Sequence, residues 1–166
     1  MTVEGAAIAR AQQSRFDLPE PHLIEVKVEA ADIDAYNHVN NAVYVTWCDR
    51  SAWDHSAALG LPISRCLELD RGMAVVRTVI TYLRPALLDD VVLVATWLLP
   101  SESKLRVRRR FQLVRPRDSM TLSRAEVEYV CIELSTGRPM RWPPEFREGY
   151  VPLPAVAAAV GGLEPL

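Results

Sequence analysis

The sequence has no apolar run approaching the roughly 20 residues that a membrane span requires, so no membrane association is expected. Its opening, Met1-Thr2-Val3-Glu4-Gly5, lacks the basic-then-apolar layout of a secretory signal, and the expected location is cytoplasmic. Cysteine is scarce. Cys48, Cys66 and Cys131 are odd in number and have no metal-type spacing, which argues against a disulfide framework or a metal centre and for reduced thiols. There is no dinucleotide fingerprint and no metal-ligand set, and no cofactor is expected. Neither sign of charge dominates: 19 Lys+Arg stand against 21 Asp+Glu, so nothing draws the whole chain toward nucleic acid or an anionic membrane.

What is present is an ordinary globular composition. The 166 residues are 49% apolar and 24% charged, enough for one domain that buries roughly 70% of its unfolded surface. Residues 1–21, rich in Ala, Gln and Arg and closed by Pro19 and Pro21, read as an N-terminal arm, flexible or loosely docked, with a short helix over 6–15 as the alternative. Residues 151–166 read as a C-terminal tail. The domain itself is expected over 22–150.

Within it, residues 23–30 alternate as a strand, with Ile24, Val26 and Val28 on one face. Residues 32–40 are polar and turn-like. From Asn41 the period becomes helical: Tyr44, Trp47, Cys48, Ser51, Ala52 and Leu59 make a buried stripe, Asn40 or Asn41 can cap its start, and Gly60 and Pro62 end it. A second short helix or a turn is expected over 64–69. Four strands follow, over 73–83, 91–99, 104–114 and 121–134. Residues 91–99 are apolar on both faces, as in a strand buried on both sides. Short turns between consecutive strands imply antiparallel neighbours. The expected product is an α+β domain, a curved antiparallel sheet wrapped around one long helix.

The chemistry is concentrated in Asp32-Ile33-Asp34-Ala35-Tyr36-Asn37-His38-Val39-Asn40-Asn41-Ala42-Val43-Tyr44. Two carboxylates, an imidazole and three amides fall between a strand and a helix start. A helix N-terminus has unsatisfied N–H groups and a partial positive charge, which can polarise a carbonyl and stabilise an oxyanion. A carboxylate opposite it can attack the carbonyl or activate a water. The residues alone point to acyl transfer.

This run, Asp-x-Asp-x-x-x-His-Val-Asn-Asn-x-x-Tyr, followed by a helix ending Leu59-Gly60-Leu61-Pro62, resembles the hot-dog-fold acyl thioesterases. The nearest are the 4-hydroxybenzoyl-CoA thioesterase type and the plant acyl-carrier-protein thioesterases. Tyr82-Leu83-Arg84-Pro85-Ala86-x-x-x-Asp90 resembles the family's second recurring segment. The resemblance implies Asp34 as the catalytic carboxylate, as nucleophile or general base. It implies Asn41 as the position whose backbone N–H polarises the thioester carbonyl. His38 matches a histidine that many members carry, for catalysis or for bracing the loop. Two positions depart from the pattern. Asn37 stands where the 4-hydroxybenzoyl type usually has Gly, and Asn tolerates a left-handed backbone. Tyr36 stands where the plant enzymes have Asn.

Tyr44 and Tyr82 are candidate substrate-binding residues. Arg106 and Arg108, in line with Arg110 on one strand face, either grip the phosphates of coenzyme A or form a solvated face paired with Glu126 and Glu128. No aromatic residues interleave there as nucleic-acid binding would require. Asp32 reads as structural, Trp47 and Trp53 as packing or pocket wall, and His22 and His55 as surface or helix-face residues. The expected activity is thioester hydrolysis on acyl-CoA or acyl-carrier-protein substrates. A non-hydrolytic acyl-binding module of the same fold and an enoyl-CoA hydratase are the alternatives. The strand at 91–99 is too apolar for a lone thin domain to cover. With the open sheet edges and the resemblance, this leads to an expected homodimer, or a homotetramer of two dimers, with the site at the interface.

Overall fold

The computed structural model describes residues 15–163 and 166. Its elements run β1 (His22–Lys27), α1 (Asn41–Ala58), α2 (Ile63–Glu68), β2 (Arg71–Tyr82), β3 (Val91–Leu99), β4 (Arg106–Arg115), β5 (Met120–Glu133), α3 (Pro144–Gly149) and α4 (Pro154–Ala159). The five strands form one antiparallel sheet in the order β1-β3-β4-β5-β2. It wraps around α1, the arrangement of the hot-dog fold.

The helix is defined at both ends by local chemistry. Asn40 is the N-cap, its side-chain oxygen accepting from the Ala42 N–H at 2.9 Å. At the other end Gly60 sits at φ +81°, the left-handed position that favours glycine. Leu61 N–H then reaches the Ser56 carbonyl (2.9 Å) and Gly60 N–H the Ala57 carbonyl (3.0 Å), a Schellman closure. Between these caps Tyr44, Trp47, Cys48 and Ala52 pack on Val94, Phe111, Ala125 and Val127 of the sheet. Burying each of the larger aliphatic or aromatic ones, such as Val94 and Phe111, contributes about 1.5–3 kcal/mol.

The strand order corrects one expectation. β2 and β3 are consecutive in sequence but are not neighbours; β2 pairs with β5 from Arg71 opposite Glu133 to Tyr82 opposite Ser123. The 83–90 link is therefore a crossing past the start of α1. Leu83 and Arg84 N–H both donate to the Leu122 carbonyl, and Val39 N–H donates to the Ala86 carbonyl (3.0 Å). Asp90, 2% exposed, anchors its end between Arg115 (3.0 Å) and Arg117 (2.9 Å). Antiparallel neighbours joined by short turns hold for β3–β4 and β4–β5.

The termini correct another. β3 is indeed buried on both faces, but the chain covers the outer one itself. Leu18 and Val156 pack with Ala95, Trp97 and Leu99, and Phe16 meets the Trp97 ring edge-on. Trp97 Nε1 donates to the Pro19 carbonyl at 2.8 Å, and Asp17 pairs with Arg124. The end of the expected arm is thus docked, and part of the expected tail is the short helix α4. The apolar outer face of β3 gives no ground for a partner. Residues 1–14, including most of the alternative helix over 6–15, lie outside the described residues. Arg110, in line with the arginines whose face the sequence left as phosphate grip or solvated surface, is buried on the same outer face, as is Gln112.

Candidate active site

The loop before α1 is shaped by its own backbone. Ile33 and Val39 form an isolated antiparallel bridge. Asp34 N–H donates to the His38 carbonyl (2.8 Å), Asn37 N–H to the Asp34 carbonyl (3.0 Å), and Asn40 N–H to the Asp32 carbonyl (2.8 Å). Asn37 has φ 60°, so the turn that the 4-hydroxybenzoyl type makes with glycine is made here with asparagine, whose short polar side chain tolerates that region.

Asp34 is half-buried and oriented by this turn. Its Oδ1 accepts from the Tyr36 N–H at 2.8 Å and, more weakly, from the His38 N–H at 3.4 Å. Oδ2 has no hydrogen-bond partner among the described residues. The carboxylate therefore has one oxygen pinned and one presented. Asp34 meets the backbone of His38 and not its imidazole, which is exposed. Asp32 is structural: its Oδ2 accepts from the Glu29 N–H (3.0 Å) to close a single 3-10 turn at 30–32.

Opposite Asp34 lies the start of α1. The Ala42 N–H goes to Asn40 Oδ1 and the Val43 N–H to the Asn40 carbonyl (2.9 Å). The Asn41 N–H, first in the helix, has no partner among the described residues. Tyr82 from the edge strand β2 donates to the Asn41 carbonyl (2.9 Å) and packs edge-on against Tyr44 at 5.3 Å. Tyr44 in turn accepts from the Ala86 N–H (2.8 Å), and burial raises its phenol pKa. Asp34, His38, Asn41, Tyr44 and Tyr82 all line one open depression of about 370 Å³, with Arg84 and Pro85 of the crossing link on its rim.

Arg106 and Arg108 are not brought to it. They stand on the outer face of the sheet and pair with Glu128 (2.7 Å) and Glu126 (2.8 Å). Cys48 lies in the core, where burial pushes its thiol up to about 12, a value that suits packing and not nucleophilic attack.

A family model, the thioesterase-like superfamily, matches residues 28–150. The chain belongs to the thioesterase-like superfamily. Similar proteins include the long-chain acyl-CoA thioesterase FadM of Escherichia coli (strain K12), 28% identical over 128 residues, covering 75% of this chain and 92% of that one. Among solved structures, a 1,4-dihydroxy-2-naphthoyl-CoA thioesterase from Synechocystis matches with a TM-score of 0.71 at 20% identity, over 79% of this chain and 96% of that one. A Staphylococcus aureus protein solved in complex with CoA matches with a TM-score of 0.72 at 20% identity, over 89% and 96%. At such identities the structures show the hot-dog fold.

Sequence reasoning missed a second polar cluster in this thioesterase-like chain, at the far end of α1. Arg109, hidden in the run 106–110, faces inward between Val107 and Phe111 and is 2% exposed. It donates to His55 Nδ1 (2.8 Å) and Ser56 Oγ (2.9 Å), and its guanidinium lies 5.6 Å from the centre of the Tyr150 ring. Ser56 Oγ also meets Tyr150 Oη at 3.2 Å. His55 stacks on His22 at 4.6 Å, and burial, together with Arg109, lowers its pKa to about 3. The signal was available: the period-2 register that places Val107 and Phe111 inward places Arg109 there too.

Proposed function

We propose that the protein hydrolyses acyl-CoA thioesters. The observation that carries the reading is that Asp34 and Asn41, whose Oδ2 and N–H have no partner among the described residues, line one open depression at a helix start. The thioester carbonyl accepts from Asn41 N–H, which favours negative charge on that oxygen. Asp34 Oδ2 then takes a proton from water as the hydroxide adds to the carbonyl carbon, or it adds to that carbon itself. Collapse of the tetrahedral species expels the CoA thiolate, which takes up a proton, and leaves a carboxylate. The direct route passes through a mixed anhydride that water opens. Where water opens the anhydride at the Asp34 carboxyl carbon, a single turnover in ¹⁸O water carries label into Asp34, which the general-base route never does. His38 braces the loop through its backbone and orients substrate with its exposed ring. Superfamily membership and FadM support a CoA-borne acyl group; acyl carrier protein is the second carrier to test.

Thiol release from an acyl-CoA panel tests the reading. Release that is lost with Asp34 is the expected result. Clear acyl-CoA binding without release would make the chain a binding module of the same fold. Hydration of an enoyl-CoA would make it a hydratase. The three cysteines, all buried and free, fit a reducing, cytoplasmic setting.

The proposed assembly is a homodimer joined edge to edge through β2, or a tetramer of two such dimers. Val75 and Val76 at the β2 bulge are 54% and 46% exposed on an unpaired strand edge, the kind of edge that another chain completes. Tyr82 of the same strand lines the depression, and residues near 77–82 of a second copy would close it. Light scattering behind size exclusion tests this. A fully active species near 18.6 kDa would overturn it.

A further inference from the structure

The cluster around Arg109 faces a second cavity, of about 50 Å³, between the last turns of α1 and the sheet. Met73, Val75 and Val107 give it apolar walls, while Arg109, Tyr129 and Tyr150 supply polar groups. Its volume is several times what one water needs. A depression of about 40 Å³, lined by Val45, Cys48 and Ile80 among others, lies between it and the Asp34 site and shares Asp49, Val75 and Tyr129 with the Arg109 cavity. The helix residues lining the three advance turn by turn, from 41 and 44 through 45 and 48 to 52 and 56. The strand residues run back along β2 from Tyr82 through Ile80 to Met73 in step with them. The three depressions thus stand in a row along α1 for roughly 20 Å at 1.5 Å per residue, the middle one lined mostly by apolar side chains and the last by Arg109.

The cation there is not neutralised. Arg109 takes part in no ion pair among the described residues; its partners are a neutral imidazole, a serine hydroxyl and a tyrosine. Asp49, the acidic residue on the cavity wall, is exposed and makes no ion pair among the described residues. Buried charges are ordinarily paired, because leaving water is costly. An uncompensated guanidinium at the end of such a row of depressions suits an anion carried on an apolar chain, and the fork of its donors matches a carboxylate.

We propose that this cavity takes the far end of the acyl chain and that the end group it selects is a carboxylate. The substrates are then CoA monothioesters of long dicarboxylic acids. This deepens the thioesterase reading and rests on it. Arg109 binds the end group and takes no part in bond breaking.

The test compares hexadecanedioyl-CoA, its terminal methyl ester and palmitoyl-CoA on the wild-type protein, by thiol release and, with Asp34→Asn, by calorimetric binding. Expected is a kcat/KM and an affinity for the diacid thioester about tenfold above both others, the scale of one charge-assisted pair. In Arg109→Gln that preference shrinks to within about twofold. Equal or poorer handling of the diacid thioester by the wild type overturns the proposal, as does a preference that survives Arg109→Gln. If none of the three releases thiol, the hydrolytic reading fails on its own, and the binding order still decides the pocket. Should Arg109→Gln not fold, the methyl ester on the wild type supplies the same contrast, charge against no charge at equal length.

Discussion

The two ends of α1 are both polar, and they are held in opposite ways. At the N-terminal end Asp34 and Asn41 are placed by main-chain hydrogen bonds in an open loop, so the side chains there are free for chemistry. At the C-terminal end Arg109, His55, Ser56 and Tyr150 hold one another in the interior. A side chain at the first end is expected to matter for rate and little for stability. At the second end the order reverses, because a buried group that loses its partner carries the desolvation penalty in full.

The largest expected effect breaks that comparison at the open end. Asp34→Asn keeps an oxygen for the Tyr36 and His38 amides but removes the base, so kcat should fall at least about 100-fold. Asp34→Ala should do the same. Thermal melts of the Asn variant should overlay the parent, and equal activity would sink the mechanism. At the closed end Ser56→Ala leaves Arg109 Nη2 and Tyr150 Oη each short of a partner. It should lower the unfolding free energy in urea by about 2 kcal/mol.

The next effect is pH dependence. His55 has its pKa lowered to about 3 in the folded protein, against about 6.5 unfolded, so between these values the unfolded chain binds the extra proton. Its contribution is fully present above about pH 6.5 and is lost as pH falls toward 3. Urea midpoints measured across that window should decline with acid less steeply in His55→Gln than in the parent. The smallest effect is Asp32→Ala, which loses one exposed bond to the Glu29 amide. It should cost about 0.5–1 kcal/mol, with far less loss of rate than Asp34→Ala. A rate loss matching that of Asp34 would move Asp32 into the reaction.

The open end was legible in the sequence and the closed end was not, for a physical reason. A loop organised by its backbone has to spell its turn in residue types: Asn37 for a positive φ, Asn40 for a cap, Asp34 for free amides. Those letters are local and adjacent. The elements were legible on the same terms, since helix and strand periods are local, and β3–β5 agree with expectation to within two residues at each end. The Arg109 cluster joins positions 22, 55, 56, 109 and 150, and only the sheet register brings them together. Arg109 also sat in a run of arginines that composition alone reads as solvated. The place of β2 was hidden likewise, because the 83–90 link looks like a turn unless one knows that it crosses the helix start.

The packing of Leu18 and Val156 over Trp97 has a consequence for the order of events in the cell. During synthesis the sheet and α1 can assemble once β5 has left the ribosome, but the residue that closes the outer layer lies more than twenty positions further on. Until it emerges, the outer face of β3 is covered only by the segment at Phe16 and Leu18, and contacts of such long sequence separation are the slow ones to form. Shortening the chain before Val156 would leave that layer half-closed for good, so aggregation on expression, before any change in activity, is the expected mark of such a truncation.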